Sequence, residues 1–259
     1  TGALVALRDA KENEVILKEK ASSHFSFDKG SSRMDNPSSL MGSIALIKQT
    51  YLNANWYKKQ DELVDLSLSA FNENRSLPQF FEAGRDKLFV LRADQLGDEM
   101  GVQYIIKGAG DEYQRIDEIK ATNATLIVPV NFPDAYDVED PFNAINVGYD
   151  DMKHWEFAAH NLKMLNDKGI TFAITSDDLK DASKLSAMLE KAVEAGLSED
   201  VALKALTYTP AQLLNVQNDL GSLTNGKVAN FIVTDGSPFK KDTKIYQNWV
   251  QGKKHEFTA

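Results

Sequence analysis

Ile170-Thr171-Phe172-Ala173-Ile174-Thr175-Ser176-Asp177-Asp178 is apolar and β-branched until it ends on two carboxylates. Entered from Lys168-Gly169, a basic last turn with a glycine stop, such a run reads as a buried strand following a helix. Two acids at the end of a buried strand call for a chemical reason, since an unpaired charge is costly away from water. Working backward, Leu77 to Glu82, Val102 to Lys107 and Thr125 to Val130 are further short strands. Helical spacing fills the gaps: Leu88, Leu91, Leu96 and Met100, then Tyr113, Ile116 and Ile119, then about Trp155 to Leu165. This alternation marks consecutive β/α units sharing a parallel sheet.

Upstream, Gly42 to Tyr57 reads as a helix and Ala3 to Leu7 as one more strand, with a polar loop from Lys29 to Ser39 between them. The polar excursion from Asp134 to Lys153 has the length of a functional or disordered loop rather than a simple connector. The count reaches about five strands where a closed barrel of this type needs about eight. The expected fold class is therefore α/β, a partial TIM-like (β/α) barrel lacking its first strands.

Beyond Asp178, Ser183 to Ala195 and Ser198 to Leu206 read as helices, the second with serine as N-cap, and Thr209-Pro210 opens a third. From Gly221 to Phe257 the pattern changes to alternating strands with turns at Gly226, Gly236 and Gly252. The expected division is a barrel portion over residues 1–218 and a small C-terminal β segment over 219–259.

Composition narrows the function classes. The 259 residues are 42% hydrophobic and 26% charged, as in an ordinary globular chain. No apolar run approaches the roughly 20 residues that cross a bilayer. A net charge of -9, with no basic cluster, argues against nucleic acid. Cysteine is absent, which removes disulfides, thiolate metal sites and thiol nucleophiles without fixing a compartment. The first residues carry no export signal, and the chain reads as beginning within a fold.

Downstream of the aspartates, Thr207-Tyr208-Thr209-Pro210-Ala211 leads to Leu220-Gly221-Ser222-Leu223-Thr224-Asn225-Gly226-Lys227-Val228-Ala229-Asn230 and a strand. This order resembles the closing segment of the metal-dependent amidohydrolase superfamily. Members end their barrel on a strand with a metal-site aspartate, followed by Thr-x-x-Pro-Ala, Gly-x-Leu-x-x-Gly-Lys-x-Ala-Asp and a strand. The likeness is nearest to the imidazolonepropionase-like branch. It implies hydrolysis of a non-peptide carbon-nitrogen bond, in an amide or cyclic amide, by water activated on a divalent, zinc-type metal. It further implies a small-molecule substrate, and a β-sandwich shared with an N-terminal segment that this chain lacks.

Carried over residue by residue, the resemblance puts Asp177 at the family's aspartate, as proton shuttle and metal ligand. Glu82 and Lys107 stand where histidines are common, and with Asp178 they are candidate substrate-binding residues. There is no His-x-His pair, and none of His24, His154, His160 and His255 ends an expected barrel strand. The metal is therefore not expected to bind tightly to this chain alone. Asp177 would ligate it only if a preceding segment or a second amidohydrolase domain supplied the other ligands. The alternative is a non-catalytic barrel domain for ligand binding or assembly. Blander readings stay open for each residue. Asp177 and Asp178 could cap the next helix, Glu82 could be a solvated strand-end acid, and Lys107 could pair with Glu82 or Asp111 or be carbamylated. Gly108 to Tyr113 could cradle an anion or form a tight turn.

Overall fold

In the computed structural model, which describes residues 1–257, the β/α rhythm builds one open sheet. The elements are β1 (Gly2–Val5), β2 (Ile16–Ser26), α1 (Leu40–Tyr57), α2 (Leu66–Asn74), β3 (Gln79–Glu82), α3 (Lys87–Met100) and β4 (Ile105–Lys107). Next come α4 (Ile116–Ala121), β5 (Thr125–Pro129), α5 (Pro141–Ile145), α6 (Tyr149–Phe157), α7 (Asn161–Asp167) and β6 (Phe172–Thr175). The chain closes with α8 (Leu185–Glu194), α9 (Glu199–Leu206), α10 (Tyr208–Leu213), β7 (Phe231–Thr234), β8 (Ile245–Val250) and β9 (Lys253–Glu256). Strands β1 to β6 lie side by side in sequence order. From β2 to β6 every pairing is parallel, whereas β1 is antiparallel to β2. This is the expected partial barrel.

Three elements are additions to the sequence reading, one of them α5 inside the expected polar loop from Asp134 to Lys153, where Asp140 caps it by accepting from the Phe142 N–H. Strand β2 includes Lys18-Glu19-Lys20, a stretch with no apolar signal, because that half pairs with β1 in solvent and only Ala21 and Ser22 beyond it are buried. Helix α2 is short and has no buried residue, but Asp65 caps it by accepting from the Ser67 and Leu68 N–H groups. Boundaries also move: the helix expected from about Trp155 to Leu165 is two helices, α6 and α7, the first beginning at Tyr149. The expected helix from Thr209 starts a residue earlier, so Pro210 is its third residue and the buried Thr209 lies inside it.

The core lies between the sheet and the helices on its outer face. Phe81, Ile106, Leu126, Val128 and Ile174 from the strands meet Val90, Leu96, Ile119, Leu162 and Leu189 from the helices. An aromatic group closes one end, with Phe81 packed on Phe27 at 4.5 Å and on Tyr104 at 5.1 Å. There the Tyr51 hydroxyl donates to Gln79 Oε1 at 2.9 Å and lies 2.8 Å from the Tyr104 hydroxyl, so both buried phenols are satisfied. The tail forms a separate antiparallel sheet in the order β7-β8-β9. No helix interrupts it, which is the expected arrangement. It is anchored to the barrel portion by Phe239, which is buried in the main core. The last two residues of the expected 219–259 segment lie outside the described residues.

Candidate functional site

Parallel register brings the strand-end residues into one row. Ser26 pairs with Glu82, Glu82 with Lys107, and Lys107 with Ile127. Glu82 and Lys107 are the last residues of their strands, so both stand at the C-terminal mouth, where barrel enzymes keep their sites. Asp177 lies two residues past the end of β6 and returns to the row through a turn. Its N–H donates to Thr175 Oγ1 at 3.1 Å, and the Leu179 N–H donates to the Ser176 carbonyl. Asp178 takes a φ of +68°, a conformation uncommon for non-glycine residues, and this bends both carboxylates inward.

All four expected residues converge on one atom. Lys107 Nζ donates to Glu82 Oε1 at 2.8 Å and to Asp177 Oδ2, and lies 3.2 Å from Asp178 Oδ2. The lysine side chain is 12% exposed, against 55%, 60% and 45% for the three acids, so the cation sits beneath carboxylates that reach solvent. Burial alone would lower the Lys107 pKa. The hydrogen bonds to Asp177 and Glu82 outweigh it and hold that pKa well above the usual lysine range. The same Lys107 hydrogen bond holds Asp177 below the ordinary carboxylate range. An ammonium has three N–H donors, and these three carboxylates can take all of them. Lys107 held protonated in this way is neither a nucleophile nor a ready amine for carbamylation.

The blander readings resolve at particular atoms. The helical segment after the aspartates is capped by Asp181, which accepts from the Ser183 N–H, so Asp177 and Asp178 are not its caps. Lys107 pairs with Glu82, whereas Asp111 pairs with Lys87 at 3.2 Å. The turn from Gly108 to Tyr113 is already filled by a carboxyl group. Buried Glu112 accepts from the Ala109 and Gly110 N–H groups at 2.8 and 3.1 Å through Oε1, and from Asn161 Nδ2 at 2.6 Å through Oε2. Burial still raises the Glu112 pKa against those donors. A Cβ on Gly108 would lie 1.9 Å from Glu112 Oε1, so glycine is required there. Glu112, which the sequence reading assigned no role, thus fixes the backbone that leaves Lys107.

His24 lies on β2, the strand missing from the sequence reading. It stacks on Phe80 and lies 2.8 Å from Ser22 Oγ. Burial lowers its pKa, opposed by Glu82. His154 lies 3.2 Å from the Tyr113 hydroxyl, His160 lies 3.0 Å from the Ala195 carbonyl, and His255 pairs with Asn248 in the tail sheet. None of these three is a partner of the Lys107 cluster. A cleft of about 590 Å³ lies at the opposite end of the sheet against Gln79, Val102, Gln103 and Ile105. It borders the starts of β3 and β4, so depth and strand-end chemistry point to different places. We take the mouth as the candidate site, because the charged side chains converge there.

A divalent metal does not fit these residues. The space between the carboxylates is taken by Lys107 Nζ, and among the described residues no three His, Asp or Glu side chains are grouped to hold a metal ion.

The amidohydrolase family matches residues 150–255, the stretch that runs from α6 through the Asp177 turn into the tail sheet. Over these residues the chain is similar to that family. The adenine deaminase of Clostridium perfringens is 34% identical over 109 residues, covering 39% of this chain and 18% of the relative. Adenine deaminase 2 of Jannaschia sp. is 34% identical over 86 residues, covering 31% of this chain and 13% of the relative. The chain thus matches less than a fifth of these curated relatives. An amidohydrolase from Thermotoga maritima superposes with a TM-score of 0.77 at 19% identity, covering 98% of this chain and 67% of that one. At that identity the likeness is one of fold, and it covers nearly the whole chain, including β3 and β4, which carry Glu82 and Lys107.

Proposed function

We propose that this chain carries the strand-end mouth of an amidohydrolase-type site for a small molecule with a non-peptide carbon-nitrogen bond, in an amide or cyclic amide. The observation that supports it is the convergence of Glu82, Lys107, Asp177 and Asp178 at the ends of three parallel strands. Asp177, 60% exposed and facing the mouth, is the proton carrier: it takes a proton from attacking water and returns it to the departing nitrogen. Glu82 and Asp178 orient polar groups of the substrate. The adenine deaminase relatives add an aminated heterocycle to the substrate classes worth testing, and the imidazolonepropionase-like branch is a finer assignment within this reading. Division at residue 218 into barrel portion and closing β segment belongs to it too. A zinc-type metal of the family kind would draw its other ligands from a preceding segment or a second amidohydrolase domain, with Asp177 the one matching position here.

A second reading is favoured by the lysine itself. Its three donors are committed to the acids and its hydrogen bond weakens Asp177 as a base, which suits a non-catalytic barrel that binds a ligand or assembles with another amidohydrolase domain. A panel of amides, cyclic amides and aminated heterocycles, assayed with the chain and with Asp177→Asn, separates the two. Turnover that falls at least about 100-fold in the variant supports the catalytic reading, in line with the usual effect of removing a general acid-base group. Ligand binding without turnover supports the second.

A further inference from the structure

We infer that Lys107 is the resident cation of this mouth: its ammonium does the electrostatic work that a divalent ion does in a carboxylate-lined site, so the chain folds and presents Glu82, Asp177 and Asp178 without metal. The inference rests on the reading of this mouth as the site, and deepens it by naming what holds the acids together. Three carboxylates drawn to one end of a sheet repel one another and need a counter-charge. Here the counter-charge comes from within the chain. Lys107 is the most buried member of the group, with each acid bonded to it or within 3.2 Å of its Nζ. It emerges from β4 between β3, which ends on Glu82, and β5, whose other neighbour β6 leads to the aspartates. The cation is thus placed by sheet register, and Glu112 pins the backbone immediately after it. A metal could enter only by displacing the ammonium from all three carboxylates, and the histidines that would reward that exchange are not among its partners.

The test uses the whole chain and reads thermal stability rather than activity. The Tm of the wild-type chain should be the same in chelator and in millimolar zinc or manganese. Lys107→Met, which keeps the stem and removes the charge, should lower the Tm by about 3–6 °C, given the usual 2–4 °C per kcal/mol for a domain of this size. Lys107→Arg, which keeps the charge, should lose less than half of that. If Lys107→Met fails to fold, adding Glu82→Gln, Asp177→Asn and Asp178→Asn should restore a cooperative transition, because the repulsion is then gone. The inference is overturned if zinc or manganese raises the wild-type Tm in an Asp177-dependent manner. It is equally overturned if Met and Arg at 107 behave alike, or if the neutralised variant stays unfolded. None of these outcomes depends on hydrolysis, so failure of the proposed reaction and failure of this inference are separately visible.

Discussion

Glu112 shows how one buried side chain can set the geometry of a neighbouring site. Its two oxygens accept from Ala109, Gly110 and Asn161, and Asn161 is oriented by accepting the Tyr113 N–H at 2.9 Å. Glutamine at position 112 would turn an NH2 toward the Asn161 NH2, leaving buried donors facing each other. Glu112→Gln is expected to cost about 1–3 kcal/mol by urea denaturation. The pair Glu112→Gln with Asn161→Asp should recover more than half of that, because an aspartate accepts from both Tyr113 and the new amide. Equal loss in the single and double variants would contradict this bonding scheme. His24 gives a pH signature at the same scale. Its folded pKa lies below the usual value near 6.5, because burial disfavours the imidazolium and Glu82 only partly offsets it. The unfolded chain then binds more protons, so this contribution is present above about pH 6.5 and is lost as pH falls toward the folded pKa. His24→Gln should flatten the decline in stability between pH 7.5 and 5; an unchanged decline would assign it to other groups.

At the scale of elements, β6 was legible because burial on both faces leaves an unbroken apolar run. Strand β2 was not, since pairing with β1 keeps Lys18-Glu19-Lys20 solvated and erases the apolar period. The site followed the same rule. Glu82, Lys107 and Asp177 were legible as the residues that close apolar strands, and the tail was legible from its alternation and glycine turns. What sequence could not supply was the convergence of the acids on one ammonium, which depends on register and on the αL backbone of Asp178. Nor could it show Glu112 filling the turn from Gly108, for which an anion site and a tight turn both stayed open. Gly108→Ala tests that turn, since its Cβ would overlap Glu112 Oε1. We expect a loss of at least about 2 kcal/mol, typical of overpacking combined with a broken buried hydrogen bond. A loss under half that size would mean that the turn adjusts freely.

Across the whole molecule, the open sheet and the closing β segment share one core, although the sequence divides them. Phe239 is 4% exposed within the main cluster, the Ser186 hydroxyl donates to the Pro238 carbonyl, and the Lys241 N–H donates to Glu190 on α8. Phe239→Ala should therefore destabilise the barrel portion as well as the tail, by about 3–5 kcal/mol, within a single calorimetric transition. Two resolved transitions would show that the segments fold independently. Sheet register brings Glu82, Lys107 and the two aspartates to one mouth, and our proposal makes that mouth lysine-centred rather than metal-centred. The most direct measurement of that claim is elemental analysis of the purified chain beside Asp177→Asn. The account predicts zinc, manganese and iron each well below one equivalent in both proteins. Near-stoichiometric metal in the wild-type chain, lost in Asp177→Asn, would contradict it.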